Sequence, residues 1–109
     1  MQEIIRIIDF KDAYFMTFFD SLDRRSKIKI KEVIYMVCHV KMIPEKFMKH
    51  IQGVKGLYEI RVSTWNGNYR IFCHFKSEKR LVLLNCFRKR SMKTPLKEIM
   101  LAIKLMNDE

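Results

Sequence analysis

The chain opens its apolar pattern with Glu-Ile-Ile-Arg-Ile-Ile, a β-branched run that predicts a strand over residues 3–8. The period then changes. Phe10, Tyr14, Phe18 and Leu22 recur every four residues, with Phe15 and Phe19 beside them, so residues 10–22 read as an amphipathic helix whose aromatic stripe is core. Asp9 or Asp12 is placed to cap it, because a short carboxylate satisfies free backbone N–H groups. Across residues 24–41 the Lys-Ile-Lys-Ile-Lys stretch alternates like a strand, but Ile30, Val33, Ile34, Val37 and Cys38 follow helical spacing. The segment is long for a strand and holds no Gly or Pro, which favours a helix paired with the first as a hairpin. Pro44 closes this region, and residues 45–51 predict a short helical turn before Gly53 and Gly56.

From Leu57 onward the alternation is that of strands. Leu-Tyr-Glu-Ile-Arg-Val-Ser is followed by Asn66-Gly67, a strong two-residue hairpin signal, and by the returning Asn-Tyr-Arg-Ile-Phe-Cys-His-Phe. Lys-Ser-Glu-Lys reads as a polar turn into a third, more apolar strand, Arg-Leu-Val-Leu-Leu-Asn-Cys-Phe-Arg. After the basic residues 88–93, Thr94 as N-cap and Pro95 as first helical residue open a last helix, with Leu96, Ile99, Met100, Ile103 and Met106 as its apolar side. The order is β-α-α-β-β-β-α. It implies an α+β fold, an antiparallel sheet carrying an N-terminal helical hairpin and a C-terminal helix. At 109 residues it is one domain, 1–109, since a second would be too small to bury its own core.

With Asn66 and Gly67 as central turn residues, Ser63 faces Arg70 and Arg61 faces Phe72. Side chains alternate along a strand. Tyr58, Ile60 and Val62 therefore share the core face with Tyr69, Ile71, Cys73 and Phe75. Glu59, Arg61 and Ser63 share the other face with Arg70, Phe72 and His74. Arg61 and Arg70 become diagonal neighbours within reach of one anion. If residues 76–79 form a four-residue loop, Arg70 faces Asn85, and Asn85 and Phe87 join that face. The chain then runs directly into Arg88, Lys89, Arg90 and Lys93. Several cations beside an exposed aromatic suit phosphate binding and base stacking. The plain alternative is a solvated face with surface ion pairs at Glu59.

Charge strengthens the first reading. The chain carries 22 Lys and Arg against 12 Asp and Glu, a net of +10. Residues 1–60 hold 11 basic and 8 acidic side chains, whereas residues 61–109 hold 11 and 4, so the excess lies where the cationic face lies. Such a chain is drawn to polyanions. No apolar run approaches the ~20 residues of a membrane span, and charges arrive too early for a secretory signal, which points to the cytosol. Cys38, Cys73 and Cys86 sit in apolar runs without metal-ligand spacing and read as buried thiols. Neither a carboxylate cluster for Mg²⁺, nor a Ser-His-Asp set, nor a phosphate-cradling Gly loop is present, so an enzyme built on this chain is expected to need no metal or cofactor.

Leu57-Tyr58-Glu59-Ile60-Arg61, Tyr69-Arg70 and the run Phe87-Arg88-Lys89-Arg90-Ser91-Met92-Lys93-Thr94-Pro95, in this order and spacing, resemble the RelE/ParE superfamily of bacterial toxins, most closely its HigB-like, phage-derived branch. The resemblance spans nearly the whole chain. It implies a microbial-RNase-like RelE fold. It also implies the toxin of a type II toxin–antitoxin system, an endoribonuclease that cuts mRNA on the translating ribosome without metal. Carried over by position, Arg61, Arg70, Lys89 and Lys93 are implied to be catalytic. Lys49, Lys55, Phe87, Arg88 and Arg90 are implied to contact RNA, and Glu59 or His74 to move the proton. Arg90 and Met92 depart from the branch, which commonly has Lys or Thr and Gln there, and Phe87 cannot transfer a proton. The implied partners are the ribosome, mRNA and an antitoxin, expected to be a helix-turn-helix protein with an acidic segment. Two other readings stay open: a poison of DNA gyrase, as in the ParE branch, and a non-enzymatic, basic, nucleic-acid-binding phage accessory protein.

Overall fold

The alternating residues from Tyr58 onward build the sheet, and the two helical segments before them cover one of its faces. The computed structural model describes residues 3–108. Its elements are β1 (Ile7–Phe10), α1 (Tyr14–Asp20), α2 (Arg24–His39), β2 (Met48–His50), β3 (Tyr58–Thr64), β4 (Gly67–Ser77), β5 (Arg80–Lys89) and α3 (Leu96–Asn107). The strands form one sheet in the order β1-β5-β4-β3-β2. All neighbours are antiparallel except β1, which runs parallel to β5. The class is α+β with a RelE-like order of elements, and the sheet is mixed rather than purely antiparallel. Among the described residues, no helix is long and apolar enough to cross a membrane.

Two cores flank the sheet. Phe15 and Phe19 of α1 and Ile30, Val33 and Val37 of α2 pack on Ile60, Val62, Tyr69, Ile71 and Cys73, the face expected to be core. On the opposite face Leu57, Phe72, Val82, Leu84 and Phe87 are covered by Ala102 and Leu105 of α3. Each fully buried large side chain contributes roughly 1.5–3 kcal/mol.

Several local expectations are corrected. Residues 3–6 are not strand. Arg6 turns its guanidinium onto the carbonyls of Val37, Val40 and Lys41 at 2.6–2.9 Å, capping the C-terminus of α2 and holding the chain away from the sheet until Ile7. Phe10 belongs to β1, and α1 starts only at Tyr14, with neither Asp9 nor Asp12 capping it. The helical turn expected over residues 45–51 is confined to residues 45–47. Strand β2 follows because Met48 pairs with Ile60 and the Phe47 carbonyl accepts from the Arg61 N–H at 2.8 Å. Pro95, not Thr94, is the N-cap of α3, without a side-chain bond. On that helix Leu96 and Met100 stay exposed while Ala102 and Leu105 are buried.

The hairpin register also differs. Thr64 pairs with Gly67, so the turn residues are Trp65 and Asn66, and Arg61 lies directly opposite Arg70. Neither turn residue adopts a positive φ. That burden falls on Gly67, at φ 148°, where an added Cβ would come within 2.7 Å of the Arg88 side chain. The two-residue difference preserves the faces read from the sequence, because side chains alternate with period two.

Candidate functional site

Strands β2, β3 and β4 bring Lys49, Glu59, Arg61 and Arg70 onto one face of the sheet. Lys49 pairs with Glu59, Glu59 with Phe72, and Arg61 with Arg70. Like charges directly opposite one another repel. Glu59 compensates both: its Oε1 lies 3.1 Å from Arg61 Nε and 3.3 Å from Arg70 Nε. The Arg61 contact is a hydrogen bond, whereas that of Arg70 is an ion pair without hydrogen-bond alignment. Arg70 also donates through Nη1 to the Tyr69 carbonyl at 3.3 Å.

Burial grades these side chains. That of Glu59 is 5% exposed, that of Arg70 12% and that of Arg61 31%. Burial holds the Arg70 guanidinium below the ordinary arginine value, Glu59 works against that, and the Arg61 charge adds to the lowering. An arginine stays protonated at physiological pH. The result is a carboxylate committed to two cations, with Arg61 the more open to solvent. Such a pair has a net positive charge and fixed donors, which is what a phosphate or a phosphorane requires.

The other candidates are dispersed. Lys89 pairs with Asn68 on the same face as the arginines, two residues beyond Phe87. Arg90 and Lys93 are exposed in the loop after β5, where Ser91 donates to the Lys93 carbonyl at 2.9 Å. Lys49 is half exposed, its Nζ 3.7 Å from the Glu45 carboxylate, and Lys55 is exposed in the loop between β2 and β3. Arg88 faces the other way and donates to the Asn66 carbonyl, tying β5 to the hairpin turn. Phe87 lies on the arginine face as expected, but it, and not Asn85, stands opposite Arg70, because β4 runs on to Ser77 opposite Arg80 and its pairing with β5 is shifted at Ile71–Cys73 and Phe75–Ser77. Phe87 is buried against Phe72 under α3, ring centroids 5.4 Å apart. It offers no exposed ring for stacking. Asn85 is likewise covered and donates to the carbonyl and side chain of Glu98 at 3.1 Å.

His74 stands apart from the arginines, with Phe72 between them on the same face. It lines a separate cavity of about 720 Å³ with Asp9, Lys11, Lys76, Arg80 and Asp108. Burial, then Lys11 and Lys76, hold its imidazole below the ordinary value of 6.5.

One cluster escaped the sequence reading. Asp23 caps α2 by accepting from the Ser26 N–H at 3.0 Å, and it also accepts from Trp65 Nε1 at 2.9 Å and Asn66 Nδ2 at 3.2 Å. The Trp65 bond, with that of Ser26, holds its carboxyl well below the usual carboxylate range. Asn66 Oδ1 in turn accepts from Ser26 Oγ, Thr64 Oγ1 and Tyr69 Oη. The available signal was Asp23 three residues before a Ser at the head of a helix, and a Trp placed at a polar turn.

Residues 17–107 match the family described as Phage derived protein Gp49-like (DUF891). No curated protein matches the chain.

Proposed function

Because the chain belongs to the Gp49-like family of phage-derived proteins, within the RelE/HigB-type toxin superfamily, we propose that it is the toxin of a type II toxin–antitoxin system and cuts mRNA on the translating ribosome. Within the superfamily this reading places it in the HigB-like branch. The observation that carries it is the Arg61–Arg70 pair fixed by Glu59 on one sheet face.

In the proposed reaction the 2′-OH of one nucleotide attacks the adjacent phosphorus. A new 2′-O–P bond forms as the 5′-O–P bond breaks, leaving a 2′,3′-cyclic phosphate and a 5′-OH. The 2′-OH proton passes to a base, and the departing 5′-oxygen takes a proton from an acid. Arg61 and Arg70 stabilise the phosphorane charge, each such donor being worth on the order of 10²–10³ in rate. Glu59 sets their positions. Its carboxylate is engaged by both arginines, so the proton carriers are sought among Lys49, Lys89 and Lys93, on the same face or in the loop beyond it. The ribosome supplies orientation of the mRNA that this small surface does not. An antitoxin with an acidic segment, on a helix-turn-helix protein, complements the +10 charge.

The test is a reconstituted translation reaction with mRNA 5′ ends mapped beside ribosome-free RNA. New 5′-OH ends on translated mRNA alone support the reading. Intact mRNA, together with gyrase-bound DNA breaks, would transfer the protein to the gyrase-poison class. Salt-sensitive binding with neither effect would leave a nucleic-acid-binding accessory protein.

A further inference from the structure

Trp65 is the chain's single tryptophan, and it is 60% exposed at the tip of the β3–β4 hairpin. It is nevertheless held in place. Its indole N–H is bonded to Asp23, and the Arg25 guanidinium lies 5.0 Å from its ring centroid. Asp23 is itself anchored as the N-cap of α2, and Asn66 beside Trp65 is fastened to the same carboxylate. A large apolar ring is thereby kept rigid and accessible.

Beside it lies an open groove of about 370 Å³ lined by Arg25, Ile28, Lys29, Glu32, Ser63, Thr64 and Trp65, within the ~300–1,000 Å³ of small-ligand sites. Lys29 Nζ lies 3.8 Å from the Glu32 carboxylate, an exposed pair of the kind worth little and open to exchange for a phosphate. The hairpin connects the groove to the arginine pair. Trp65 stands one position past the end of β3 and four residues from Arg61, a span of about 13 Å at the rise of a strand. Ser63 lies between them and donates to Asn68 at 2.9 Å, and Lys89 stands across from Asn68.

A rigid aromatic face with arginine and lysine around it is the combination that holds unpaired bases, because every base has a π-face and every nucleotide a phosphate. Holding the turn requires the indole N–H but not an exposed ring. We propose that Trp65, backed by Arg25, is a base-stacking subsite for single-stranded RNA. It receives a nucleotide a few positions from the bond held at Arg61 and Arg70, and Lys29 meets its phosphate. The stacking stands on the Trp65 geometry alone; only its relation to the cut bond rests on the ribonuclease reading.

The sole tryptophan makes the test direct. The wild-type protein is titrated with a short 2′-O-methyl oligoribonucleotide, which lacks the attacking hydroxyl, while indole emission and the anisotropy of a label on the RNA are followed. Saturable quenching that tracks the anisotropy is expected, whereas an abasic chain of the same length binds without quenching. Trp65→Ala, shown folded by its thermal transition, binds the oligonucleotide at least about fivefold more weakly, as loss of a stacked base implies. Full binding with unchanged emission, or no binding at all, overturns the subsite. The two claims separate cleanly. Quenching without cleavage on the ribosome retains the subsite and rejects the ribonuclease reading, and cleavage without quenching does the reverse.

Discussion

Glu59 and Arg70 are each costly to remove because each would leave the other buried and unmatched. Their side chains are 5% and 12% exposed and 3.3 Å apart. Breaking a buried pair from one side typically costs about 3–5 kcal/mol. Glu59→Ala is therefore expected to lower stability to urea by several kcal/mol and to lower activity with it. Arg61→Ala is expected to leave the midpoint nearly unchanged, since that side chain is the more exposed of the two arginines. His74 gives a different signature. Its folded value is depressed, so the folded chain binds that proton less tightly than the unfolded chain. Stability is complete above the ordinary value of 6.5 and falls as the pH drops below it. His74→Gln should narrow the gap in thermal midpoint between pH 8 and pH 5 without changing the rate of mRNA cleavage. A rate loss in that variant would bring His74 back as a proton carrier.

At the scale of elements, the paired strands and α2 were legible because their periods are long and unbroken: Ile30, Val33 and Val37 are buried as their spacing requires. The four-residue β1 and the seven-residue α1 were legible in kind but not in their bounds, and the shortest element was not legible at all. Strand β2 has three residues, too few to show a period, and exists only because β3 offers it an edge at Ile60. The candidate site was legible in its faces but not in its exposure. Alternation placed Phe87 with Arg70 correctly, yet nothing local announces that α3 lies over Phe72 and Phe87. Phe87→Ala is thus expected to cost about 3–5 kcal/mol in a urea titration, with oligonucleotide affinity of the folded variant unchanged. The Asp23 cluster depended on contacts more than 40 residues apart, which no pattern along the chain displays. Asp23→Ala should lower the thermal midpoint and speed amide exchange at Asn66, while Asp23→Asn, which keeps an acceptor oxygen, should do so less.

Over the whole molecule, the two-sided burial of the sheet governs both its thiols and its charge. Cys73 and Cys86 lie inside the sheet and Cys38 is partly exposed on α2, and burial raises all three thiols above their ordinary value. A thiol reagent should label Cys38 slowly in the native protein and reach the other two only as the chain unfolds. Prompt labelling of Cys86 would show that the sheet opens locally. On the proposed ribonuclease reading, the net charge of +10 gathers RNA without selecting a bond, and the bond is selected where Glu59 fixes two guanidinium groups on one sheet face. The most direct test is the single-turnover rate of mRNA cleavage by ribosome-bound protein, wild type against Arg61→Ala, with equal thermal midpoints verified. A fall of about 10²–10³ is expected. An unchanged rate would contradict the assignment of the arginine pair as the reactive centre.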